Sequence, residues 1–170
     1  MTWNDHFLEL FGRCIRRYRN GDKHFDTYYG DEDVALLASI GYRKREFFDF
    51  VEDHCDEGAP SPSDALLVAA VRRDYFRVVM DGELARPVVT RDNIPTFGDA
   101  LGGFHYLPRL LAKARAKLRG ELDPDLMYGC GGDRKFLREH GDIHPADFLR
   151  HVWAADDDDE VVGWLKNGSI

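Results

Sequence analysis

The feature that most constrains this chain is a match between its own two halves. When residues 10–48 are laid on residues 110–148 without gaps, seven positions are identical: Leu10/Leu110, Arg19/Arg119, Tyr28/Tyr128, Asp33/Asp133, Leu37/Leu137, Gly41/Gly141 and Phe48/Phe148. Ordinary residue usage would give roughly two or three. Close substitutions extend the match at Phe11/Leu111, Arg13/Lys113, Arg17/Lys117 and Leu36/Phe136. The order of elements agrees as well. Each half reads as a long helix, a loop with a tyrosine, a short helix stopped by glycine, and further helices. Agreement in both residues and element order is the sequence mark of an internal duplication.

The elements themselves are helical in period. Phe7, Leu10, Phe11, Cys14, Ile15 and Tyr18 form one apolar stripe, ended at Asn20-Gly21. Asp31 is placed to cap a short helix that Gly41 stops. Ser61-Pro62-Ser63-Asp64 has the serine, proline and acid order of a helix start. In the second half, Leu107, Leu110, Leu111, Ala114 and Leu118 recur at helical spacing. Asp133 is placed to cap the next helix, His144-Pro145 opens another, and Asp156 or Asp157 caps the last. Residues 81–105 are broken by Pro87, Pro95, Gly98, Gly102 and Gly103, with a weak strand pattern at 88–90. The expected fold is therefore all-α, with about eight helices in two tandem pseudo-repeats of a four-helix unit. Residues 1–80 form the first repeat, 81–105 a linker and 106–170 the second repeat.

Composition narrows function by exclusion. The net charge is −8, which argues against nucleic acid as a partner, because phosphate neutralisation needs a positive surface. No run approaches the eighteen apolar residues of a membrane-spanning helix. The start, Met1-Thr2-Trp3-Asn4-Asp5-His6, lacks the basic and apolar regions of a secretory signal, so the expected location is cytoplasmic. Three cysteines without paired spacing imply neither a disulfide framework nor a zinc finger. His140 and His144 lie four apart, but Gly141 and Pro145 break the helix that would align them. The acidic run 156–160 lacks a calcium-loop pattern. No metal and no cofactor are expected.

Candidate chemistry concentrates in the second half. The helix over 107–119 carries Arg109, Lys113, Arg115, Lys117 and Arg119 with no acid. Glu9 and Ile15 stand at the positions of Arg109 and Arg115 in the first half, so these two charges are specific to the second. Arginine forks grip carboxylate or phosphate; a solvated basic face is the plainer reading. The stretch Tyr128-Gly129-Cys130-Gly131-Gly132-Asp133 suits a nest of convergent N–H groups for an anion. A cysteine beside a helix start and basic residues gains nucleophilic character, although most cysteines are packing residues. Gly30 replaces Cys130 in the first half. His105, His140 and His144 are alternative bases for Cys130, and spacing does not choose among them.

The series Leu101-Gly102-Gly103-Phe104-His105-Tyr106-Leu107-Pro108-Arg109, then Lys113-Ala114-Arg115-Ala116, Gly120, Tyr128, Cys130 and Asp133, resembles the bacterial domain of unknown function family 5069 over about residues 99–167. Ala112 stands where that pattern has an acid, and Gly131-Gly132 where it has Pro-Leu. The resemblance implies a cytosolic bacterial protein and points to the residues singled out above. The expected function is binding of a small anionic ligand by Arg109, Lys113, Arg115, Tyr128, Cys130 and Asp133. The alternatives are an interaction module whose basic helix docks an acidic partner or a second copy of the chain, and a thiol-dependent enzyme using Cys130.

Overall fold

A computed structural model of the chain describes residues 1–168, which divide into two compact units, 1–84 and the described residues from 85 onward. The fold is predominantly α-helical, with eight α-helices among the described residues.

In the first unit α1 (Trp3–Arg19) is followed by a 3-10 turn (Phe25–Thr27), α2 (Asp31–Ser39), α3 (Lys44–Glu57) and α4 (Pro62–Val78). The stripe of α1 is buried as its spacing requires, and α1 packs on α3 and α4. Phe7 and Phe11 meet Phe47 edge to face at 5.0 and 5.6 Å, geometry that aromatic quadrupoles favour. Ser61 caps α4 as expected, accepting the Asp64 N–H at 3.1 Å, with Pro62 in the first turn. Arg72 on α4 is fully buried and donates to the Gly41 carbonyl at 2.9 Å, tying α4 to the end of α2.

In the second unit two-residue strands β1 (Ala100–Leu101) and β2 (Phe104–His105) form an antiparallel hairpin. They precede α5 (Leu107–Arg119), α6 (Gly131–Glu139), α7 (Pro145–Ala154) and α8 (Asp158–Lys166). The apolar face of α5 is buried, and α5 packs on α7 and β1. His144 and Asp157 cap α7 and α8, as their positions suggested. Residues 85–105, expected to link the halves, belong to this unit. Val88 and Val89 both donate N–H groups to the Glu121 carbonyl, and Ile94 is buried. The weak strand pattern at 88–90 corresponds to a single parallel bridge, Val89 to Leu122.

Two helix starts differ from expectation. Gly30, not Asp31, is the N-cap of α2, and Cys130, not Asp133, is the N-cap of α6. Asp33 and Asp133 are instead the third residues of their helices, buried, with carboxylates turned back onto the preceding loop. Gly131 and Gly132 are therefore first-turn residues of α6 rather than a loop.

Candidate functional site

Asp133 organises the second unit's candidate site. Its carboxylate has no solvent exposure and accepts three groups: Lys113 Nζ at 2.7 Å, Tyr106 OH at 2.6 Å and the Gly129 N–H at 2.8 Å. Lys113 is only 3% exposed. A charge so far from water is tolerable only when paired and hydrogen-bonded, and this pair is both. Lys113 also reaches Cys130, with Nζ 3.2 Å from Sγ. Cys130 itself is half-buried. Its side chain makes no capping bond, while helix geometry leaves the first-turn N–H groups of α6 without intrahelical acceptors. The result is a thiol at a helix N-terminus, partly open to solvent, backed by a buried ammonium–carboxylate pair.

Tyr106 completes the cluster. It is the N-cap of α5 and sits at φ 74°, an unfavourable conformation for a bulky residue. Its N–H donates to the Asp99 carbonyl at 2.9 Å, and Phe97 stacks on its ring at 5.9 Å. Burial, then the Asp133 charge and hydrogen bond, push its hydroxyl well above the usual phenol range, so it stays a donor. Sequence reasoning missed Tyr106. Carrying the comparison of the halves a few residues earlier would have paired it with His6.

The other predicted residues lie around this cluster with separate partners. Arg109 donates to the Pro95 carbonyl at 3.0 Å and lies 4.3 Å over the ring of Phe97, which is 68% exposed. Through that ring Arg109 reaches the Tyr106 edge of the site. Arg115 pairs with Asp158 at the start of α8, and both side chains are nearly half exposed. Tyr128 is buried, and its hydroxyl donates to the Pro145 carbonyl at 2.7 Å, holding the loop to α7. The structure thus brings Lys113, Cys130 and Asp133 together, sets Arg109 at their rim, and places Arg115 and the Tyr128 hydroxyl elsewhere. The three histidines considered as bases have other partners. His105 Nδ1 lies 3.1 Å from the Gly98 carbonyl, His140 stacks on Phe136 at 4.1 Å, and His144 accepts from the Ala146 N–H. Among the described residues no three His, Cys, Asp or Glu side chains are grouped to hold a metal.

The first unit contains a cluster of the same plan. Asp33 accepts from Arg13 NH2 at 2.5 Å, pairs with His6 Nε2 at 3.0 Å and accepts the Gly30 N–H at 2.9 Å. Burial pushes its carboxyl up, but the bonds from Arg13, His6 and Gly30 outweigh that and hold it below its ordinary value of 3.8. A pocket of about 640 Å³ opens beside it, lined by His6, Glu9, Arg13, Asp31 and Glu32 among others. Here the helix N-cap is glycine, and no thiol is present at that position.

Fold and site together define a two-unit helical protein whose second unit sets the Cys130 thiol on a buried Lys–Asp pair. Residues 96–169 match the family model of a domain of unknown function, DUF5069. The match lies within the second unit and includes every residue of the Cys130 cluster. Comparison with curated proteins and with solved structures finds no match. Among the described residues no helix is long and apolar enough to cross a membrane.

Proposed function

We propose that the protein binds a small anionic molecule in its second unit, at the N-terminal end of α6, with Cys130 in contact with the ligand. One observation carries this reading: the half-exposed Cys130 occupies the N-cap of α6, 3.2 Å from the buried Lys113 ammonium, where the first unit has only Gly30. The unpaired N–H groups of the first turn and the positive end of the helix favour an anion. Arg109 stands at the rim with one of its donors on Pro95 and the rest of its fork to offer. The ligand sits on the thiol side of the Lys113–Asp133 pair, which stays intact and holds Cys130 in place.

The two halves, in this reading, descend from one duplicated helical unit. The matched positions of Asp33 and Asp133, each bonded to a base on its long helix, support that descent. The clamp is then common to both halves, and the thiol is what the second half added.

A thermal-shift series tests the binding reading, with phosphate, simple carboxylates and nucleotides as probes. Binding to the native state raises the midpoint by mass action. At least one probe should raise it in the wild type, less in Arg109→Ala, and not in Cys130→Val, whose branched side chain fills the approach. Arg115→Ala should behave as wild type. An equal shift in Cys130→Val would place the ligand elsewhere, and no shift across the series would count against an anion site.

A further inference from the structure

The contact between Lys113 and Cys130 carries chemistry of its own, whether or not an anion binds beside it. An amine nitrogen 3.2 Å from a sulfur, and itself held by Asp133 at 2.7 Å, is an intramolecular reaction partner. Held groups of this kind react at effective concentrations that free solutes cannot reach. Lys113 is nearly inaccessible to solvent, whereas Cys130 is half-buried and so open to a small oxidant on its outer side.

We infer that Cys130 and Lys113 form a reversible covalent sulfur–nitrogen bridge, a sulfenamide, when the protein meets a hydroperoxide. In the first step Sγ attacks the peroxide oxygen. The S–O bond forms, the O–O bond breaks, water or an alcohol leaves, and Cys130 becomes a sulfenic acid. In the second step Lys113 passes one proton to Asp133 Oδ2, 2.7 Å away, and its freed lone pair attacks Sγ. The N–S bond forms, and the S–O bond breaks. The hydroxyl leaves as water with a second proton from nitrogen. The peroxide is the two-electron oxidant for the whole sequence, and the protein ends two hydrogens lighter.

The site also explains why the amine captures the sulfenic acid before a second thiol does. Sγ faces Nζ on its buried side, and Tyr106 and the Gly129 N–H hold the proton acceptor Asp133 in position. Cys14 is buried, and burial pushes both the Cys14 and the Cys55 thiols up, which makes them poor competitors for the sulfenic acid. The bridge joins α5 to the start of α6, converts the ion pair into a neutral acid and a neutral sulfenamide, and closes Sγ to any other reactant. A thiol reductant attacks the sulfur and restores both side chains.

Treating the intact protein with hydrogen peroxide, then digesting with trypsin without reductant, tests this directly. The inference predicts loss of cleavage after Lys113 and a linked species joining the Lys113 and Cys130 peptides, two hydrogens below their sum. Dithiothreitol should reverse both. Dimedone should trap little sulfenic acid in wild type and more in Lys113→Arg, which keeps a cation but not the lysine amine. Cys130 recovered as a sulfinic acid or in an intermolecular disulfide, with cleavage after Lys113 unchanged, would overturn it. The wild-type digest decides the matter even if Lys113→Arg fails to fold.

Discussion

Lys113 and Asp133 are opposite charges removed from water and balanced by each other, by two further donors on Asp133 and by the Cys130 sulfur on Lys113. Removing one partner of such a pair strands the other, at a cost of about 3–5 kcal/mol. Lys113→Met should therefore lower stability by that amount in chemical denaturation, and a loss under about 1 kcal/mol would show that the pair does not hold the site. Arg115 and Asp158 make an ion pair too, but one in solvent. Arg115→Ala should change stability by no more than about 1 kcal/mol. The three thiols should separate in the same way. Burial pushes the Cys14 thiol up to about 12 and raises Cys55 as well. Iodoacetamide at neutral pH should modify Cys130 first and Cys14 last, read by peptide mapping. Equal slow rates would remove Cys130 as a reactive group. Asp33 sets a pH dependence in the first unit. Its folded carboxyl titrates below the unfolded value, so its contribution is present above about pH 4 and is lost as pH falls through the lower folded value. Asp33→Asn should flatten the acid limb of the stability profile; an unchanged acid limb would show that the carboxyl is not held down by its partners.

At the level of elements, what was legible and what was not had physical causes. Ser61, His144-Pro145 and Asp157 announce helix starts because their side chains do the capping locally. The start of α6 was misread because glycines suggest a turn. Gly132 serves close approach instead: a Cβ there would lie 3.1 Å from the Tyr106 hydroxyl that bonds Asp133. Such a requirement depends on a residue from another element and leaves no local mark. The same holds for Lys113. On a helix with five bases and no acid it reads as surface charge, and only the return of Asp133 from twenty residues on buries it. The hairpin before α5 has a similar tertiary requirement. Gly102 has φ +61°, and a Cβ built on it would meet Val162 Cγ1 at 2.3 Å. Gly102→Ala should cost about 1–3 kcal/mol by forced repacking, visible as a lowered unfolding midpoint. A neutral effect would mean that the hairpin moves off α8 freely.

The whole molecule is two compact units, and only the second carries the family match and a cysteine at the cap of its buried-aspartate helix. The boundary between halves was less legible than the helices. Proline and glycine mark residues 81–105 as irregular, but irregular backbone can still be pinned, here by Val88 and Val89 on Glu121 and by the burial of Ile94. A fragment spanning 85–170 should accordingly unfold cooperatively with helical circular dichroism, and one spanning 106–170 should lose that cooperativity. Equal behaviour of the two fragments would return the segment to the role of a linker. The match between the halves remained visible where it specifies backbone and buried groups. It faded at position 6 against 106, where histidine and tyrosine meet the same need with different chemistry.

The central claim is that the N-terminus of α6, with Cys130 at its cap, is a ligand site. The most direct measurement is an amide chemical-shift titration of the intact protein with phosphate, following Gly131 and Gly132. Saturable shifts at these two amides, abolished in Cys130→Val and retained in Arg115→Ala, are the predicted result. Amides of α6 that stay still while others move, or shifts that persist in Cys130→Val, would contradict it.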